Sequence, residues 1–137
     1  MLVRKKEKEI RKWIKNEKKA LLVSGARQVG KTFLIRDCLR KEQAKFIEFN
    51  LIEQPEIVGV LKGAETVDDF ILRLSLFTSK TFIKGETIIF LDEIQEYKEI
   101  VTKIKFFVQE GSFRYILSGS LLGVEITNLK SAPVGSL

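Results

Sequence analysis

A chain of 137 residues, 45% hydrophobic and 31% charged, is long enough to bury one core and is composed like an ordinary soluble globular domain. It has one cysteine and no histidine, which excludes a disulfide framework and removes the usual metal ligand and the usual general base. No apolar run reaches membrane-spanning length and the first nineteen residues are too polar for a signal peptide, so the expectation is a cytoplasmic protein with no membrane contact.

Residues 1–19 form a unit of their own and hold the whole net charge of +6, with nine Lys or Arg against Glu7, Glu9 and Glu17. Ile10, Trp13 and Ile14 fall on one side of a helix there. Two readings stay open. The basic stretch is a contact for nucleic acid or a protein partner, or it is a solvated lysine-rich helix that packs its three apolar residues on the domain. No stacking aromatics alternate with the charges, as they do on surfaces that bind single strands.

The domain proper, residues 20–137, opens with the apolar run Ala20-Leu21-Leu22-Val23-Ser24, a buried strand. Gly25-Ala26-Arg27-Gln28-Val29-Gly30-Lys31-Thr32 follows and fits G-x-x-x-x-G-K-[ST], the phosphate-binding loop of nucleotide triphosphatases. Phe33, Leu34, Cys38 and Leu39 then recur at helical spacing, so a helix starts where the loop ends. The first turn of a helix has N–H groups without partners and carries partial positive charge, and phosphate oxygens supply the missing acceptors. In that reading Gly25 and Gly30 allow positive φ and close approach. Lys31 reaches the β- and γ-phosphates of ATP, and Thr32 offers its hydroxyl to Mg²⁺. The loop residues 25–32 together with Phe33 make up the expected nucleotide-binding set.

Lys45–Asn50 alternates apolar and polar and predicts a second strand. Residues 51–64, with Pro55, Gly59 and Gly63, predict a short helix between turns. Thr66 caps a further helix that carries Val67, Phe70, Ile71, Leu74 and Phe77 or Thr78 on its inner face, with Leu72 and Leu76 as additional apolar residues. Lys84-Gly85-Glu86 is a turn. Thr87–Leu91 then runs as a strand buried on both faces into Asp92 and Glu93, whose place at its carboxyl end opens on a ligand crevice. About sixty residues after the phosphate loop, this is the Walker B arrangement: Asp92 holds the magnesium ion and Glu93 orients and deprotonates the attacking water.

Tyr97, Ile100, Val101, Ile104 and Val108 predict an amphipathic helix ended by Gly111. Phe113–Leu117 is a fourth strand closing in Ser118-Gly119-Ser120, whose hydroxyls are placed to touch a γ-phosphate or its water, or else form a plain strand-to-loop turn. Beyond Leu121 the pattern thins, and residues 131–137 read as loop.

Gly25–Thr32, Leu91-Asp92-Glu93-Ile94-Gln95 and Leu117-Ser118-Gly119-Ser120, in this order, resemble the bacterial and archaeal AAA-like ATPases that carry a second domain of unknown function behind the ATPase core. Arg27, Gln28 and Gln95 make the likeness more specific than a phosphate loop alone. The resemblance implies a three-layer α/β P-loop fold of the AAA/ASCE type with a parallel sheet, the Ser118 strand lying between the loop strand and the Asp92 strand. It also implies that Ser118 or Ser120 senses the γ-phosphate. Such proteins continue into another strand, a helical lid and the second domain, so this core reads as truncated after its fourth strand. They often carry an arginine soon after the sensor strand, where this chain has Ala132-Pro133-Val134-Gly135-Ser136. One edge of the loop strand is then open. Residues 121–137, which include Val124–Thr127, either fold back as a makeshift edge or pair with a second copy. The expected function is Mg-dependent ATP hydrolysis, weak in the isolated chain. The alternatives are a P-loop kinase and a nucleotide-gated module for DNA or protein.

Overall fold

The structure, a computed structural model, describes residues 2–24, 29–120 and 131–134. Helix α1 (Leu2–Asn16) leads into β1 (Ala20–Ser24), α2 (Val29–Lys41), β2 (Phe46–Asn50), α3 (Glu56–Leu61) and α4 (Val67–Leu74). A 3₁₀ turn (Ser75–Phe77), β3 (Ile88–Asp92), a second 3₁₀ turn (Ile94–Tyr97), α5 (Ile100–Glu110), β4 (Arg114–Gly119) and β5 (Ser131–Val134) complete it.

The strands form one sheet in the order β2-β3-β4-β1-β5, and every neighbouring pair runs parallel. Parallel strands need crossovers, and these put helices on both faces. Alternation along each strand then sorts the apolar residues into two cores. Leu21, Val23, Ile88, Phe90 and Ile116 pack with Ile10, Trp13 and Ile14 of α1 and Leu34, Ile35, Cys38 and Leu39 of α2. Leu22, Ile47, Phe49, Ile89, Leu91, Tyr115 and Leu117 face Ile57, Leu61, Phe70 and Leu74 of α3 and α4 and Ile100, Ile104 and Phe107 of α5. The expected α/β three-layer fold, with β4 between β1 and β3, is what the chain adopts.

Helix α1 is held down at both ends. Trp13 Nε1 donates to the Lys19 carbonyl at 2.6 Å, and the Arg114 guanidinium lies 5.0 Å from the Trp13 ring centroid while donating to the carbonyls of Trp13 and Glu17. Arg11 pairs with Glu42, and Lys41 with Glu7. The packing reading of residues 1–19 is therefore fulfilled for Ile10, Trp13 and Ile14, all buried.

Three expectations are corrected. The sheet does not stop after its fourth strand: Ser131–Val134, read as loop, lies beside β1 in register Ala20↔Ser131 to Val23↔Val134. The sequence hid this strand because Ser-Ala-Pro-Val is four residues long with Val134 as its one β-branched residue, and proline is tolerated only where a strand has an outer edge. Of the two alternatives for residues 121–137, the fold-back is the one adopted, since Ser131–Val134 covers the β1 edge within the same chain; Val124–Thr127 lies outside the described residues. The helix from Thr66 also ends sooner than its apolar pattern suggested, at Leu74, with Thr78 extended at φ −150°. Leu72 and Leu76, the additional apolar residues, are exposed, because the helix turns its Val67, Phe70 and Leu74 face to the core. Finally, Gly30 does not take a positive φ; it is already the second residue of α2, and among the described residues the left-handed glycines are Gly63, Gly85 and Gly111. Gly111 caps α5 as expected, its N–H donating to the Phe107 carbonyl at 3.1 Å.

The Tyr115 hydroxyl is buried under α5 with no hydrogen-bond partner among the described residues, and burial raises its pKa. A buried hydroxyl left unpaired costs about 1–3 kcal/mol. Tyr115→Phe is therefore expected to raise the midpoint of urea unfolding; a lowered midpoint would show that the hydroxyl has a partner.

Candidate functional site

In an open parallel sheet the ligand crevice lies at the carboxyl ends of the strands, where the topology brings β1, β3 and β4 together. Ser24 ends β1 there, and α2 begins at Val29. Gly25, Ala26, Arg27 and Gln28 lie outside the described residues. A Cβ built on Gly30 meets nothing within 4 Å, so packing inside the chain does not require glycine at that position.

Two of the expected side chains converge on a third, the carboxylate of Asp92. Asp92, the last residue of β3, is 1% exposed. Its Oδ2 accepts from the Thr32 hydroxyl at 2.6 Å, and its Oδ1 accepts from the Ser118 hydroxyl of β4. These contacts follow from local structure: Thr32 lies on the first turn of α2, and Asp92 and Ser118 close adjacent parallel strands at the same end of the sheet. Asp92 Oδ1 also accepts from the Glu93 N–H, at 2.9 Å.

Lys31 adds the opposite charge. Its side chain is 2% exposed, and Nζ has no hydrogen-bond partner among the described residues. Burial lowers the Lys31 pKa below its ordinary value, and the negative charges of Asp92 and Glu93 offset part of that. A buried ammonium without an acceptor is costly, and an anion at its head removes the cost.

Glu93 leaves the strand abruptly. Its backbone is left-handed, φ 60° and ψ 46°, an uncommon conformation for a residue other than glycine and one that clusters at functional sites. Its carboxylate is half-buried and accepts from Gln95 Nε2 at 3.0 Å. Ser120, at the end of β4, does not reach Asp92 as Ser118 does; its N–H donates to Gln95 Oε1. Phe33 sits beside Thr32 and is 65% exposed. Arg114 starts β4 opposite Ile88, at the far end of the sheet from Asp92.

The family model of the AAA domain matches residues 17–137. The chain belongs to the AAA domain family. Solved structures share the architecture. A chain of Drosophila ORC bound to DNA aligns with a TM-score of 0.58 at 9% identity, over 99% of this chain and 92% of that one. Thermotoga maritima RuvB aligns with a TM-score of 0.56 at 14% identity, over 98% of this chain and 44% of that one. A chain of Drosophila ORC bound to AT-rich DNA and Cdc6 gives 0.52 at 7% identity, over 96% and 55%. At such identities the likeness is one of fold, and no curated protein matches in sequence. Family and fold together make this an ATP-binding core of the AAA type.

Gln95 and Gly119 are the site residues that sequence reasoning did not assign a role. The signal available for Gln95 was its place in the Asp92-Glu93-Ile94-Gln95 run, which marked family resemblance without saying what the amide touches.

Proposed function

We propose that this AAA domain binds ATP with Mg²⁺ and hydrolyses it through a water activated by Glu93. The observation that carries the reading is the convergence of the Thr32 and Ser118 hydroxyls on Asp92 beside the Lys31 ammonium, which has no hydrogen-bond partner among the described residues. The residues present fit magnesium: one carboxylate and one hydroxyl, already in contact, suit a hard cation that takes its remaining ligands from water and substrate phosphates. Thr32 and Asp92 would hold it, and when bound it neutralises charge on the phosphates.

The chain's own groups do the rest. Residues 25–30 cradle the phosphates with backbone N–H groups, Lys31 sets its charge against the β- and γ-phosphates, and exposed Phe33 is available to the nucleotide. Glu93 takes a proton from the water as the water oxygen bonds to the γ-phosphorus and the bond from that phosphorus to the β–γ bridging oxygen breaks, leaving ADP and phosphate. Ser118, and Ser120 beyond it, sense the γ-phosphate at the end of β4. The resemblance to the bacterial and archaeal ATPases with a second domain, carried by Arg27, Gln28, Gln95 and Ser118-Gly119-Ser120, belongs to this reading, as does a cytoplasmic setting.

An arginine that neutralises the transferring phosphoryl group is worth about 10³ to 10⁵ in rate. Arg36 is bonded through two nitrogens to Glu48, Arg73 to Asp69 and two carbonyls, and Arg114 to the carbonyls beside Trp13. The isolated chain is therefore expected to bind ATP in a magnesium-dependent way by calorimetry and to turn it over at less than about one per second, below the ordinary enzyme range. Absence of ATP binding would end the reading. A faster turnover, unchanged on dilution, would show that Arg27 or another residue of the same chain supplies the charge.

A second reading has its own observation. Arg4, Lys5, Lys8, Lys12, Lys15, Lys18 and Lys19 are all exposed on α1 and the turn after it. A nucleotide-gated contact for DNA or an acidic protein would use this surface, and a mobility shift measured across salt, with and without ATP, separates it from simple hydrolysis.

A further inference from the structure

We propose that Gln95 is a positioning residue that ties the carboxylate of Glu93 to the end of β4, so that the water-activating group is held in place by the strand that carries Ser118 and Ser120. The proposal rests on the role given to Glu93 above.

The carboxamide bridges the two segments. Nε2 donates to Glu93 Oε1 at 3.0 Å, and Oε1 accepts from the Ser120 N–H at 3.3 Å. The side chain's chemistry is specific to this arrangement. An amide donates to a carboxylate and accepts from a backbone N–H at once, whereas a glutamate could make only the second bond and a lysine only the first. The left-handed turn at Glu93 starts the 3₁₀ turn Ile94–Tyr97, which carries Gln95 back over the end of β4.

Gly119 supplies an independent observation from the opposite side. Its φ is not positive, so its backbone does not call for glycine. Space does: a Cβ there would stand 2.6 Å from Gln95 Oε1 and 3.2 Å from both the nitrogen and Cγ1 of Ile94. Any side chain at position 119 would take the place that the Gln95 amide oxygen occupies. The strand end is thus shaped to receive that amide, and a shift of Ser118 or Ser120 against a phosphate would reach Glu93 through it.

The test uses the full chain and has two arms. In the nucleotide-free protein, Gln95→Ala is expected to speed hydrogen exchange of the Ser120 amide, read by NMR, whereas Gln95→Glu, which keeps an acceptor, leaves it slow. In the turnover assay, both variants are expected to lower kcat about tenfold, as misplacement of a catalytic group does, with ATP affinity held within about threefold. Gly119→Ala should displace the amide without altering Gln95, and the double variant with Gln95→Ala should be no slower than the slower single one. A merely structural role would change affinity and kcat together. Unchanged Ser120 exchange in Gln95→Ala overturns the bridge, as does a kcat within twofold of the parent under conditions where Glu93→Gln abolishes turnover; either leaves the ATPase reading standing. A parent chain without turnover removes the ATPase reading instead, and with it the purpose assigned to the bridge, whatever the exchange shows.

Discussion

Glu93→Gln is expected to lower ATP turnover by about 10²-fold or more while ATP still binds, the usual contribution of a positioned general base. The substitution preserves length and shape, and an amide oxygen can still accept from Gln95 Nε2, so the bridge to β4 is retained at that end. What is lost is the capacity to take the water's proton. Asp92→Asn, one residue earlier, is expected to behave differently. Its carboxylate receives Thr32 and Ser118, so the neutral variant should bind ATP with a weakened dependence on magnesium. Calorimetry at several magnesium concentrations, run beside a phosphate-release assay, checks both. If the two variants give the same pair of results, the division of labour between the neighbouring acids is wrong.

Lys31→Met is expected to move two quantities in opposite directions. Charge-assisted hydrogen bonds contribute about 1.5–3 kcal/mol each, so loss of the ammonium should weaken ATP binding at least about tenfold. In the nucleotide-free chain, however, the same ammonium is buried with no partner among the described residues, and an aliphatic side chain of similar length removes a desolvated charge without opening a cavity. The free variant should melt higher than the parent, and added ATP should stabilise it less. The pH dependence has a definite sign. Because burial lowers the Lys31 pKa, the unfolded chain holds this proton to higher pH than the folded one does. Stability of the free parent therefore rises with pH between the folded-state value and the ordinary one, and Lys31→Met lacks that rise. Phosphate favours the protonated form, so ATP binding in that window is accompanied by proton uptake, measurable in buffers of different ionisation enthalpy. A variant that binds ATP as tightly as the parent would remove Lys31 from the site.

What could be read from the sequence was chemistry that is local to the chain. The pattern at Gly25–Thr32 is eight consecutive residues, and a phosphate loop of that pattern acts through its own backbone and the strand and helix at either side, so the ligand class proposed for it could be read without tertiary information. The same holds for the apolar run into Asp92 and Glu93, because a strand buried on both faces has to be apolar throughout and its acids have to fall at its end. The basic helix was legible in the same way, since Ile10, Trp13 and Ile14 are a helical stripe. The tertiary structure decided whatever depends on residues far apart meeting. Pairing of β5 with β1 comes from the rest of the sheet presenting a free edge, which lets a short segment with Pro133 become a strand that its composition does not ask for. The hydrogen bond from Ser118 to Asp92 depends on the β3–β4 register, which no motif encodes. The Gln95 bridge depends on three positions at once: a left-handed Glu93, a Ser120 amide facing back, and the absence of a Cβ at Gly119. Each of these residue types is ordinary alone, and only the packing of the 3₁₀ turn against the end of β4 makes them one device.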